Sequence, residues 1–148
     1  MAKIMQVHIA TQRLHPDAKL PRYAHSGVSG DLAADLYSVE QVELPPGKVV
    51  AIPTGVALAI PDGFGAIVHD RSGVALQGLA TLAGVIDTGY RGEIKVVMTN
   101  LGETAFTIRK GDRIAQLRIV HRIEAAFTEE SELPSTERQA SGFGSTGS

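Results

Sequence analysis

Glu93-Ile-Lys-Val-Val-Met-Thr-Asn100 is followed by Leu101-Gly102, then by Ala105-Phe-Thr-Ile108, Lys110-Gly-Asp112 and Ile114-Ala-Gln-Leu-Arg-Ile-Val120. Runs rich in Val, Ile and Thr are thus cut by glycine-bearing breaks. β-Branched side chains crowd the preceding turn of a helix but fit a pleated surface, and glycine supplies the φ freedom that a tight turn needs. The stretch reads as strand, turn, strand, turn, strand. Upstream, Lys3 to Ile9 alternates, with Met5, Val7 and Ile9 on one face, which predicts a half-buried strand. Val49 to Ile52, Gly55 to Ile60 and Ala66 to His69 add further strands, punctuated by Pro45-Pro-Gly47 and Pro61-Asp-Gly63. Strands and turns at this spacing predict an all-β sandwich or barrel. The one helical turn expected is Ser72 to Gln77, with Ser72 placed to cap it. The strand pattern stops near Glu129, so residues 1–128 are expected to form the β-sandwich domain and residues 129–148 a flexible C-terminal arm.

Composition narrows the function classes. A chain of 148 residues that is 43% hydrophobic has the size and apolar content of one domain with a sizeable core. It contains no Cys, which removes disulfides, thiolate nucleophiles and Cys-based zinc sites. No apolar run reaches the length of a membrane span, and Met1-Ala-Lys-Ile-Met5 lacks the apolar stretch of a secretory signal, so a soluble, cytoplasmic protein is expected. Net charge is −2 with Lys and Arg scattered, so nothing predicts a grip on a nucleic-acid polymer or a membrane. Any phosphate site must be local.

Four internal segments carry polar residues that packing does not need. In Gly30-Asp-Leu-Ala-Ala-Asp-Leu-Tyr37, Asp31 or Asp35 could hold a hydrated divalent cation, since magnesium needs few protein ligands; the competing reading is a turn or cap carboxylate. Asp70-Arg-Ser-Gly73 sets Arg71 and Ser72 at the mouth of the short helix, suited to a phosphate, and a plain capping role for Ser72 competes equally. In Gly84-Val-Ile-Asp-Thr-Gly-Tyr-Arg-Gly-Glu-Ile94, Asp87-Thr-Gly89 resembles a hairpin turn with Tyr90 and Arg91 beside the carboxylate. Asp87 could act as a general base for water and Tyr90 as a platform for a sugar; alternatively Asp87 bonds its own backbone. In Lys110-Gly-Asp-Arg-Ile-Ala-Gln-Leu117, Gln116 could reach a phosphate oxygen or simply be solvated, and Asp112 reads as a turn residue.

The tail, Arg138-Gln-Ala-Ser-Gly-Phe-Gly-Ser-Thr-Gly-Ser148, holds one aromatic among small residues. It cannot bury a core of its own. It could close over a ligand: Phe143 offers a stacking face, Gly144 a free backbone N–H, Ser145 and Thr146 hydroxyls, and Arg138 a fork for phosphate oxygens. A disordered polar terminus is the competing reading.

Taken in order, Arg71-Ser-Gly73, Gly84-Val-Ile-Asp87 with Tyr90-Arg-Gly-Glu-Ile94, Gly111-Asp-Arg-Ile-Ala-Gln-Leu117 and Gly142-Phe-Gly-Ser-Thr-Gly147 resemble motifs of the trimeric deoxyuridine triphosphatase family. The resemblance spans nearly the whole chain. It implies a jelly-roll-like β fold, a homotrimer with three shared active sites, and magnesium-dependent hydrolysis of dUTP to dUMP and pyrophosphate. It implies further that Asp87 activates the water attacking the α-phosphorus and that Tyr90 packs on deoxyribose to exclude a 2′-hydroxyl. Backbone of a hairpin at Val85, Ile86 and Asp87, with opposite-strand residues around Lys95, would read the uracil edge. Asp35 would hold Mg2+ through water, and Arg71, Ser72, Gly73 and Gln116 would contact phosphates. Phe143 would stack on uracil while Arg138, Ser145 and Thr146 engage the γ-phosphate. Departures from the family pattern are Ala33 for Gly, Asp70 for Pro, Gln139 and Ser141 for Gly, and no Asn between Gly78 and Gly84. Two rivals are a dCTP deaminase-like enzyme and a non-catalytic nucleotide-binding regulator on the same scaffold.

Overall fold

The computed structural model describes residues 2–145 and 147. Strand β8 (Glu93–Asn100) shows how the sequence makes the core: Ile94, Val96, Met98 and Asn100 are buried while Lys95 is exposed, the period-2 alternation of a sheet with one inner face. It lies in a sheet of order β1-β4-β8-β6, formed with β1 (Ala10–Arg13), β4 (Val49–Ala59) and β6 (Leu79–Leu82). A second sheet, β2-β10-β5-β7, comprises β2 (Ala34–Tyr37), β10 (Arg113–His121), β5 (Phe64–His69) and β7 (Val85–Ile86). A small pair joins β3 (Val42–Leu44) to β9 (Phe106–Ile108). All the strand pairings are antiparallel. Inner side chains of the two large sheets, among them Ile52, Val56, Met98, Leu36, Val68 and Leu117, meet in one core cluster. Burying each such aliphatic stabilises by roughly 1.5–3 kcal/mol. The result is the all-β, jelly-roll-like sandwich expected. Among the described residues no helix is long and apolar enough to cross a membrane.

Four local expectations are corrected. Residues Lys3 to Ile9 are not a strand, and Ile4 and Met5 remain exposed, although Val7 and Ile9 keep the alternation as half-buried positions. Their ladder partner runs out: β1 begins at Ala10 opposite Ala59, where β4 ends just before Pro61, which has no N–H to extend the pairing. The two strands expected over Val49–Ile52 and Gly55–Ile60 are one strand, β4, with a register shift between Pro53 and Ala57. The irregularity is held by Thr54 Oγ1 donating to Ile94 O (2.5 Å) and Gly55 N donating to Glu93 Oε2 (2.9 Å). The helix α1 spans only Ser72–Ala75, and Arg71, not Ser72, occupies its cap position, with no side-chain capping bond. Finally, β7 pairs with β5 and not with β8, so Asp87-Thr-Gly89 is no hairpin tip but a turn carrying the chain from one sheet to the other.

Asn100 ends β8 as a buried polar node. Its Nδ2 donates to Leu44 O (2.9 Å) and Thr104 O (2.8 Å), and its Oδ1 accepts from Gly102 N (2.9 Å). Three main-chain groups, one at the end of β3 and two in the loop after β8, lose their partner if the amide is removed. Asn100→Ala should therefore cost about 3 kcal/mol, seen as a lower urea midpoint with an unchanged slope; a midpoint equal to that of the parent would show the node to be dispensable.

Candidate active site

The second sheet places the phosphate-suited residues side by side. Gln116 on β10 is in register with Asp35 on β2 and with His69 on β5, so one row across three strands carries Asp35, Gln116 and the strand end that leads into Arg71. Gln116 Nε2 donates to Asp70 O (2.7 Å), tying β10 to that exit. Asp70 Oδ1 accepts from Thr81 N (2.6 Å), which fixes the segment from the other side. Arg71 Nε donates to Asp35 Oδ1 (3.2 Å) and its Nη1 to Arg113 O (3.4 Å). Arg113 Nη1 lies 3.5 Å from Asp35 Oδ2. Asp35, whose side chain is only 12% exposed, is thus held between two guanidinium groups, the arrangement a buried carboxylate requires. Ser72 and Gly73 are exposed beside it on α1, the hydroxyl not spent on a cap.

Asp31 separates from this group. Its carboxylate accepts from His25 N (2.8 Å) and faces the His25 ring at 3.3 Å, closing the 25–31 loop. The His25 N–H holds the Asp31 carboxyl below its ordinary value. The turn reading is correct for Asp31.

The second group surrounds the turn after β7. Tyr90 N donates to Asp87 O (3.1 Å), and the Asp87 side chain is exposed, taking no part in the turn's hydrogen bonds. The expected alternative, Asp87 bonding its own backbone, is not what the structure contains. Arg91 does not turn to Asp87; its Nη1 donates to Thr88 O (2.8 Å) and Tyr90 O (3.1 Å). Thr88 Oγ1 donates to Phe64 O, anchoring the turn at the start of β5. The main chain approaches closely just upstream: Gly84 has φ +114, and a Cβ there would sit 2.6 Å from Val68 O, so only glycine fits. Ala83 beside it adopts φ 60, a left-handed conformation costly for a residue with a Cβ. Val85 and Ile86 face Ile67 and Ala66 of β5, whereas Lys95, exposed on β8, pairs with Pro53 of β4; the strand opposite Val85 is therefore not the one carrying Lys95.

The two groups stand at opposite ends of β5. That strand has 6 residues, roughly 17 Å end to end, with Thr88 bonded at its start and Arg71 just past its end. A third group is separate from both. After Arg122, whose N donates to Gly63 O, the chain carries no strand or helix among the described residues. Arg138 Nε donates to Ser141 O (2.7 Å) and Ser145 N to Gly142 O (2.9 Å). Phe143 and Gly144 both have positive φ, 51 and 81, and the Phe143 ring is fully exposed. Thr146 lies outside the described residues.

Arg113 is the residue sequence reasoning passed over. Its role depends on a register shift between Arg113 and Ala115, which turns its side chain toward a carboxylate far away in sequence. No local pattern announces that.

No group of three or more His, Cys, Asp or Glu side chains that could hold a metal gathers among the described residues. Magnesium retains several waters and takes one or two carboxylates together with substrate phosphates. Both oxygens of Asp35 already face guanidinium groups, so an ion bound to it directly would have to displace one.

A dUTPase family model matches residues 18–147. Deoxyuridine 5′-triphosphate nucleotidohydrolase of Solibacter usitatus is 48% identical over 147 residues, covering 97% of this chain and 99% of the relative. The enzyme of that name from Clostridium kluyveri is 43% identical over 144 residues, covering 95% and 99%. Among solved structures, Staphylococcus bacteriophage 80alpha dUTPase with dUPNHPP matches with a TM-score of 0.86 at 28% identity, covering 97% of this chain and all of that one. A point mutant of the dUTPase from phage phi11 of S. aureus, described with a structural Mg(II) ion, has a TM-score of 0.76 at 25% identity, covering 85% and 98%.

Proposed function

We infer that this chain, which belongs to the dUTPase family, hydrolyses dUTP to dUMP and pyrophosphate, keeping uracil out of DNA and supplying dUMP for thymidylate synthesis. The observation that supports the reading is that Asp35 and Gln116 stand in one row, with Arg71 bonded to Asp35, on the same sheet as a turn that leaves the Asp87 side chain exposed. In the proposed site Arg71, Ser72, Gly73 and Gln116 bind phosphate oxygens. Asp87 takes the proton of the water that attacks the α-phosphorus, the P–O bond to the β-phosphate breaks, and pyrophosphate leaves. Val85, Ile86 and Lys95 flank the base, and Tyr90 walls the sugar. Main-chain groups that pair with the uracil edge reject cytosine strongly, because a mismatched edge leaves them unpaired. Magnesium, held through water by Asp35, supplies charge neutralisation on the phosphates when bound. Arg138, Phe143, Gly144, Ser145 and Thr146 come from the arm: stacking on the base and holding the γ-phosphate while water is excluded. An intracellular nucleotide as substrate supports a cytoplasmic location for the enzyme.

A general base must lie within hydrogen-bond reach of its water, and within one chain Asp87 and Arg71 are kept apart by the length of β5. A homotrimer that brings the Asp87 turn of one copy to the Arg71 row of another resolves this, giving three shared sites. Light scattering should return three times the 15.6 kDa chain mass. A fully active monomer would overturn the shared site.

The reaction itself is tested by pyrophosphate release from a panel of nucleoside triphosphates with and without magnesium. The expected result is release from dUTP, dependent on magnesium. Ammonia from dCTP would indicate a deaminase, and binding without turnover a regulator.

A further inference from the structure

Gly92 lies against the hydroxyl end of the Tyr90 ring. A Cβ at that position would stand 2.5 Å from Tyr90 Oη, 2.7 Å from Cζ and 3.0 Å from Cε1. Its φ is not among the positive ones, so the backbone would accept alanine; the ring alone excludes a side chain. Tyr90 Oη donates to Glu93 O (2.8 Å), latching the tip of the ring to the first residue of β8. Glu93 is itself fixed, its Oε2 accepting from Gly55 N (2.9 Å) on β4. Arg91 closes the turn behind the ring through Thr88 O and Tyr90 O. With its tip crowded by Gly92 and bonded to Glu93, the ring is fixed at that end and still 45% exposed.

We propose that Gly92 is a positioning residue that sets the Tyr90 ring at the depth where it admits deoxyribose and rejects ribose. The proposal rests on the reading of Tyr90 as the sugar wall. Carbon atoms pack at about 3.5–4.0 Å, so a methyl group on Gly92 moves the ring by roughly 1 Å and breaks the Oη latch. A 2′-hydroxyl is itself only one heavy atom, so a wall displaced by that much no longer discriminates. Asp87 is not touched by this change, and its chemistry should persist.

The test compares kcat and KM for dUTP and UTP in the full-length parent, Gly92→Ala, Tyr90→Phe and Tyr90→Ala, each checked for folding by circular dichroism and for mass by light scattering. Gly92→Ala should raise KM for dUTP about tenfold with kcat within threefold, and should lower the dUTP-to-UTP preference in kcat/KM by at least tenfold, that is by about 1.4 kcal/mol of discrimination. Tyr90→Phe, which loses only the latch, should lower the preference about threefold. If Tyr90→Ala loses the preference while Gly92→Ala keeps it within twofold, the positioning role is overturned and the sugar wall stands. If Tyr90→Ala itself keeps the preference, the sugar-wall reading falls and the inference with it. Should Gly92→Ala not fold, Tyr90→Phe decides: an unchanged preference overturns the latch.

Discussion

Asp87→Asn should lower dUTP turnover by roughly 10² to 10⁴, the range that a positioned general base supplies. The substitution preserves size and most hydrogen-bonding capacity but leaves no group to take the proton from water. The Asp87 side chain contributes nothing to the turn's hydrogen bonds, which run through its carbonyl, Thr88, Tyr90 and Arg91. Folding should therefore be unaffected, and a non-hydrolysable dUTP analogue should bind as well as to the parent. Steady-state kinetics beside calorimetric titration of the analogue separates the two effects. Near-normal turnover in the Asn variant would remove Asp87 from the role of base.

Deleting residues 138–148 should have the second largest effect. Among the described residues, Arg138 and Ser145 bond only within their own short turns, and Phe143 is fully exposed, so the sandwich loses none of that packing when they go. Stacking of a base on an aromatic is worth roughly 1–3 kcal/mol, and Phe143→Ala should weaken binding of the analogue by that amount. The deletion should cost more, since phosphate contacts and exclusion of water disappear with the ring. Proteolysis of the full chain supplies the complementary reading: cleavage in the arm should be suppressed by the analogue with magnesium. A chain ending at Glu137 that hydrolyses dUTP as fast as the full protein would reduce the arm to a polar terminus.

How much of this was legible without coordinates varies with the range of the interaction involved. The strand Glu93–Asn100 is visible in the sequence because burial on one face imposes alternation on the residues themselves. Lys3 to Ile9 shows the same alternation and is not a strand, because a strand also needs a neighbour, and β4 has ended where it would be required. The turn at Asp87-Thr-Gly89 is equally readable, since its bonds are local, yet its function as a link between two sheets depends on pairing with β5. Ser72 carried the pattern of a cap, and the cap position went to Arg71 because the chain enters the helix one residue earlier.

The candidate site divides along the same line. An all-β fold and the family could both be read from the chain alone, because they reside in composition, periodicity and contiguous motifs, and the same motifs name the candidate site residues. Folding in three dimensions was needed to clasp Asp35 between Arg71 and Arg113, to stand Gln116 in its row, to set Asp87 at the far end of β5, and to bring the hydroxyl end of the Tyr90 ring against Gly92. The first three depend on register between strands distant in sequence, which no local pattern encodes. The last depends on how the turn folds the ring back over its own chain, and a single atom's space at Gly92 sets it.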